Sequence, residues 1–184
     1  CARGKPLFSK ILIANRGEIA CRIVRTCQKL GIKTVAVYST VDRNALHTRL
    51  ADEACFIGES PPHDSYLNLE RIIEVARETG AEAVHPGYGF LSENPAFARL
   101  CQEAGIRFIG PKPEVMEKMG DKLLARKLAK KAGLPVLPGT DKAIETDKAV
   151  SRAWKLGFPL MVKAAEGGGG IGIHIIDSTD ELLP

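Results

Sequence analysis

A helical run that ends in glycine and turns within a few residues into a β-prone run recurs along this chain. It occurs at Gly31 before residues 34–38, at Gly80 before 83–85, at Gly105 before 107–109 and at Gly157 before 159–162. Glycine lacks a Cβ and takes the left-handed conformation that closes a helix C-terminus without steric cost. No sequence repeat underlies this punctuation; it is capping chemistry applied several times. Helices and strands that alternate in this way imply βαβ units, and so a parallel sheet with helices on its faces. The first strand, Lys10-Ile11-Leu12-Ile13-Ala14, is a continuous apolar run, as a strand buried on both faces requires.

Further elements follow in order. Asn15-Arg16-Gly17-Glu18 turns the chain into a helix predicted over 18–30, with Ile19, Ala20, Ile23, Val24, Cys27 and Leu30 at the helical period. A strand is expected over 53–57 and a helix over 68–79, with Leu69, Ile72, Ile73 and Ala76 turned inward. Asn94 as N-cap and Pro95 at the first helical position open a helix to about residue 104. Beyond Gly110-Pro111-Lys112-Pro113 come a short helix near 114–119 and a basic one from Lys122 to Ala132, capped by Asp121. Residues 133–139 read as a linker, Thr146 as the cap of a helix over 147–156, and Ser178 with Glu181 as a capping box.

Three stretches carry chemistry. Met161-Val162-Lys163 runs into Gly167-Gly168-Gly169-Gly170, and an apolar run resumes at Ile171. Glycines let backbone N–H groups approach an anion closely, and a lysine just before them suits a nucleotide phosphate. Gly167, Gly169 and Gly172 fit G-x-G-x-x-G, but that fingerprint opens a helix, whereas Ile173-His174-Ile175-Ile176 is β-prone. A Walker A loop is excluded too, because the lysine precedes the glycines. A strand–loop–strand flap over phosphates fits better. Lys122 stands at a helix start, where the dipole disfavours a cation unless an anion lies in front of it. His85-Pro86-Gly87-Tyr88-Gly89-Phe90-Leu91-Ser92-Glu93-Asn94 leaves the carboxyl end of a strand, where open α/β sheets bind ligands, and presents Tyr88 and Glu93.

Composition narrows the class. At 45% hydrophobic and 26% charged, the 184 residues make an ordinary globular chain, long enough for one domain and part of another. The net charge of +4 is interleaved and aromatics are only 5%, which argues against nucleic acid as a partner. No apolar run approaches a membrane span, so no membrane association is expected. Cys1, Cys21, Cys27, Cys55 and Cys101 form no C-x-x-C pair and read as packing thiols in a reducing compartment.

Ile11 to Ala20, His85 to Asn94, Met119-Gly120-Asp121-Lys122, and Val162-Lys163 with the Gly167 to Gly170 run occur in order at family-like spacings. Together they resemble the N-terminal part of a biotin carboxylase, the ATP-grasp component of biotin-dependent carboxylases. The resemblance implies an α/β fold with a Rossmann-like N-terminal domain over 8–110, connecting helices and a linker over 111–139, and a truncated ATP-grasp lid subdomain over 140–184. It implies ATP binding by Lys122, Lys163, Gly167, Gly168, Gly169 and Gly170, and a biotin-side loop with Tyr88, Gly89 and Glu93. Arg22 and Arg25 fall near the surface through which members dimerise.

The implied reaction uses ATP and Mg2+ (or Mn2+) to convert bicarbonate to carboxyphosphate, whose carboxyl group passes to biotin. Implied partners are a biotin carboxyl carrier domain or protein, a carboxyltransferase, and a second copy of the full-length chain in a homodimer. The location is cytoplasmic, or the mitochondrial matrix in a eukaryote. No metal ligand or catalytic residue is assignable within the 184 residues; the family's metal ligands are expected beyond Pro184, so this stretch alone is expected to be inactive. The family usually has Arg or Lys after the four glycines, where this chain has Ile171. Two other readings stay open: a truncated, non-catalytic nucleotide-binding module, and another ATP-grasp ligase such as urea carboxylase. The 85–94 stretch counts against a carbamoyl phosphate synthetase. A dinucleotide-binding dehydrogenase would need its glycine fingerprint at the first strand–helix turn, where Asn15-Arg16-Gly17-Glu18 stands.

Overall fold

The computed structural model describes residues 7–163 and 172–182. The chain divides into two compact units, one reaching to Met116 and the other starting at Glu117. In the first unit the elements are β1 (Lys10–Ile13), α1 (Gly17–Leu30), β2 (Lys33–Ser39), α2 (Leu46–Leu50), β3 (Glu53–Gly58), α3 (Leu69–Thr79), β4 (Ala83–His85), α4 (Pro95–Glu103) and β5 (Arg107–Phe108). Helix α5 (Pro113–Gly120) crosses the division. The second unit holds α6 (Lys122–Lys131), α7 (Thr146–Leu156), β6 (Leu160–Lys163) and β7 (Ile173–Ile176).

The first five strands make one parallel sheet in the order β3-β2-β1-β4-β5. Pairing of Leu12 with Val35 on one side and Val84 on the other sets β1 in the middle. Side chains alternate across the sheet. Leu12, Val35, Val37 and Val84 join Ile72, Ile73 and Ala76 of α3 and Phe97 and Cys101 of α4 in one core. Ile11 packs with Cys27, and Ile13 with Ala20 and Val24, so α1 covers the opposite face. Each fully buried side chain of this size contributes roughly 1.5–3 kcal/mol relative to exposure. This is the doubly covered α/β sheet that the punctuation implies.

The glycine caps hold at three of the four expected places. Gly31, Gly80 and Gly105 have φ of 73°, 68° and 72°. In each case the next residue's N–H reaches back to a carbonyl of the last helical turn: Ile32 to Cys27, Ala81 to Ala76 and Ile106 to Cys101, at 2.8–2.9 Å. Gly157 differs, because its ψ of 167° leaves the chain extended toward Phe158-Pro159.

In the second unit β6 and β7 form an antiparallel pair, with Lys163 opposite Ile173 and Val162 opposite His174. Asp121 caps α6 by accepting from the N–H groups of Leu123 (2.8 Å) and Leu124 (3.0 Å). Two expected caps are corrected. Helix α7 begins at Thr146 itself, with Glu145 in the cap position; the Glu145 carboxylate bonds Lys148 instead of the helix backbone. Ser178 makes no capping bond, and Glu181 instead accepts from the Asp177 N–H at 3.1 Å. Among the described residues a single 3-10 turn, Thr179–Glu181, follows.

Candidate functional site

The sheet order reverses beside β1: the chain leaves β1 for β2 on one side, and β4 enters on the other. The carboxyl ends of β1 and β4 therefore part from each other, and the crevice between them is where open parallel sheets bind ligands. Residues 15–19 form one lip and 88–90 the other, around a shallow cleft of about 490 Å³ lined by Asn15, Arg16, Glu18, Ile19, Tyr88 and Phe90.

Asn15 ties the lips together. Its side-chain amide donates to the carbonyls of Pro86 (2.8 Å) and Tyr88 (3.0 Å), and its Oδ1 accepts from the Arg16 N–H (2.9 Å). At 1% exposure, all of its polar capacity but one lone pair is used within the protein. Gly87 must be glycine here. Its φ is +67°, and a Cβ would lie 2.7 Å from Asn15 Nδ2 and 2.8 Å from an Ile19 methyl. The Gly87 N–H donates to His85 Nδ1 at 3.0 Å, and burial holds the His85 imidazole below its ordinary value. His85 is thus neutral, with its ring proton on Nε2.

Tyr88 is 65% exposed, and its hydroxyl donates to Glu18 Oε2 at 3.4 Å across the cleft mouth. Gly89 is exposed at φ +71°. Glu93 is exposed too but does not line the cleft. Next to Gly89, Phe90 has φ +42°, the one non-glycine residue with positive φ among the described residues. Backbone in this region is costly for a bulky side chain and persists where its surroundings over-determine it.

Those surroundings were not apparent from the sequence. The Phe90 ring stacks on Tyr66, with centroids 5.0 Å apart and planes inclined by 10°. The Arg16 guanidinium lies 5.3 Å from the Tyr66 centroid and 5.5 Å from that of Phe90. Asp42 Oδ2 accepts from Arg16 Nη1 (3.2 Å), Ser39 Oγ (3.0 Å) and Tyr66 Oη (2.7 Å). Burial alone would raise the Asp42 carboxyl, but the bonds from Tyr66, Arg16 and Ser39 outweigh it and hold it below the usual range. Burial and the adjacent Asp42 push the Tyr66 phenol up. The signals that could have pointed here are the Asn15-Arg16 pair at the end of β1 and Phe90 within the glycine-rich turn.

The lysines proposed for phosphate belong to the other unit. Lys122 is half-buried at the first position of α6, and Lys163 is exposed at the end of β6. Gly167, Gly168, Gly169, Gly170 and Ile171 lie outside the described residues. So does Pro184, beyond which the metal ligands are expected. Arg22 and Arg25 are both exposed on α1. Among the described residues no three His, Cys, Asp or Glu side chains come together to hold a metal. No described helix is long and apolar enough to cross a membrane. Cys21, Cys27, Cys55 and Cys101 are free thiols.

Comparison with known proteins gives this geometry its family. The model of the biotin carboxylase N-terminal domain matches residues 7–116, and that of the carbamoyl-phosphate synthase L chain ATP-binding domain matches 121–184. A pyruvate carboxylase subunit of Methanothermobacter thermautotrophicus is 56% identical over 178 residues, which is 96% of this chain and 36% of that protein. Biotin carboxylase of Halalkalibacterium halodurans is 55% identical over 177 residues, 96% of this chain and 39% of that one. Among solved structures, the biotin carboxylase domain dimer of Hydrogenobacter thermophilus 2-oxoglutarate carboxylase, in complex with MgADP, ADP and bicarbonate, superposes with a TM-score of 0.89 at 52% identity. It is matched over 95% of this chain and 39% of its own. The chain thus spans well under half the length of these relatives. With a sheet-and-cleft unit and a lysine-bearing hairpin unit that both align with such proteins, this chain belongs to the biotin carboxylase family.

Proposed function

We propose that the chain forms the N-terminal, nucleotide-gripping part of a biotin carboxylase within a biotin-dependent acyl-CoA or pyruvate carboxylase. Identity above one half across both units supports this reading most directly, because it spans the β1/β4 cleft and Lys163 together. In the reaction, bicarbonate takes the γ-phosphoryl group of ATP and ADP leaves. The resulting carboxyphosphate gives up its carboxyl group to biotin on a carrier, with phosphate as the leaving group.

The chain's own residues bind and orient. Lys122 and Lys163 offset the triphosphate charge, and Gly167, Gly168, Gly169 and Gly170 are assigned to the same ligand; charge-assisted bonds such as the lysines offer are the strong ones in a site that excludes water. Tyr88 and Gly89, on the turn that Asn15 fixes, and Glu93 after it serve the biotin side. Mg2+ or Mn2+ would neutralise the phosphates, with its ligands expected in the full-length protein beyond Pro184. The carboxyltransferase is the further partner, and Arg22 and Arg25 offer an exposed basic strip for pairing with a second copy. The free thiols suit a cytoplasmic or mitochondrial-matrix location.

The test is ADP release by the purified full-length protein, which should require both bicarbonate and biotin. Lys163→Ala should weaken ATP binding about 10- to 100-fold, the loss of one charge-assisted bond. The 184-residue polypeptide alone should bind ATP without bicarbonate-stimulated turnover. Unchanged ATP affinity in the variant, or full-length turnover indifferent to biotin, would contradict the proposal.

A further inference from the structure

The turn that carries Tyr88 is pinned at two places by different means. At its start, Asn15 holds the carbonyls of Pro86 and Tyr88. At its end, Phe90, at φ +42°, stacks on the Tyr66 ring, and the Arg16 guanidinium lies beside the pair, 5.3 Å from the Tyr66 centroid and 5.5 Å from that of Phe90. Tyr66 is wholly buried, and Leu91, the next residue after Phe90, is anchored in the core. Arg16 is itself clamped, because its Nη1 bonds the same Asp42 oxygen that receives Tyr66 Oη and Ser39 Oγ. Arg16 therefore joins four separate segments: the β1–α1 turn, the turn after β2 that bears Asp42, the stretch before α3 that bears Tyr66, and the loop after β4. A planar guanidinium can pack against the aromatic pair while one nitrogen bonds the carboxylate, a combination that suits its fixed fork better than an ammonium.

We propose that Arg16, locked by Asp42 and seated against the Tyr66–Phe90 stack, is a positioning residue that presets the 86–91 turn and so places Tyr88 for the biotin-binding step. The inference rests on the biotin carboxylase reading. Arg16 acts through Phe90 and need not touch either substrate. Without the clamp, the Phe90 ring loses one of its two aromatic-side supports, and the turn relaxes toward ordinary φ. Tyr88 and Gly89 then shift while the sheet beneath keeps its pairing.

The full-length protein tests this with Arg16→Met, Asp42→Asn and, as a variant that disturbs the fold least, Phe90→Leu. Each should raise the KM for free biotin about tenfold or more, the scale on which small misplacements act, while leaving the KM for ATP unchanged. In hydrogen exchange the amides of residues 87–91 should exchange faster, with those of α3 and β1 unaltered. An unchanged biotin KM in all three variants would overturn the proposal. So would equal rises in both KM values with protection lost across the sheet, which would mark a merely structural role. Should the wild-type protein show no biotin-dependent turnover, the functional reading fails. Exchange at 87–91 then still decides whether Arg16 sets the turn.

Discussion

Up to Met116, Tyr66, Phe97 and Leu12 are wholly buried and helices cover both faces of the sheet. From Glu117 onward, Ala153 and Ile176 are the only buried apolar side chains among the described residues, while Leu137, Trp154, Met161 and Ile175 stand exposed. The first unit holds itself together by burial. The second leans on local devices: the Asp121 cap, and Asp141 shared between Lys130 and Arg126 at its surface. Exposed ion pairs add little stability, and a two-stranded pair is marginal in water by itself. A site that needs rigid geometry, such as the Asn15 clasp, thus belongs to the first unit, and groups that need only reach an anion can belong to the second.

The sharpest way to break this contrast is to empty one side chain in each unit. Phe97→Ala removes a ring that packs edge-on against Phe108 at 6.0 Å and should cost about 3–5 kcal/mol in urea unfolding. Trp154→Ala, at a position 69% exposed, should cost less than about 1 kcal/mol. Equal losses would mean that the second unit buries more than it shows.

A smaller effect separates two glycines within the first unit. Gly80→Ala meets open space at φ +68°, so only backbone conformation is strained, about 1 kcal/mol. Gly87→Ala adds the collision with Asn15 and Ile19 and should cost about 2–3 kcal/mol, with a matching loss of biotin binding in the full-length protein. Thermal denaturation that ranked the two equally would remove Gly87 from the clasp.

The mildest test is acid. Burial holds His47 and His85 below the ordinary histidine value. Between the folded and unfolded values the unfolded chain binds more protons, so stability is full above about pH 6.5 and declines as pH falls through that point. Asp42 and Asp52 are also depressed, Asp52 chiefly through its bond from Lys33, and their contribution drains away further down, as pH drops from about 4 through their lowered values. Urea midpoints should therefore slope downward from pH 7 to 5 and more steeply below 4. A flat profile from 7 to 5 would show that the two histidines are not buried as neutral rings.

Most of the first unit was legible because its signals are local. Gly31, Gly80 and Gly105 announce helix ends through residues within a turn of them, and β1 declares itself by four apolar neighbours in a row. Helix α2 went unpredicted: it has five residues and no capping side chain, and it is held by His47 Nε2–H donating to the Val37 carbonyl, 3.1 Å away. The Asp42 network was illegible for a related reason. Arg16, Asp42 and Tyr66 are 24 and 26 residues apart in the pairs they form, and no periodicity records such contacts. Tyr88 could be singled out from its turn, but the residues that hold that turn could not. The Ser178–Glu181 pairing misled because the Glu181 carboxylate accepts from the Asp177 N–H and Ser178 makes no capping bond.

The Asn15 clasp also fixes an order of events. Its two bonds close loops of 71 and 73 residues. A nascent chain has made β1, α1, β2 and β3 before the second lip of the cleft has been synthesised at all. Until β4 arrives, one edge of β1 is an open template in what will become the middle of the sheet, the state in which strands are most prone to pair wrongly. Parallel, long-range pairing of this sort is slow. The cleft is therefore acquired in a single late closure, and the central strand that anchors it is also the one most in need of protection while the ribosome is still at work.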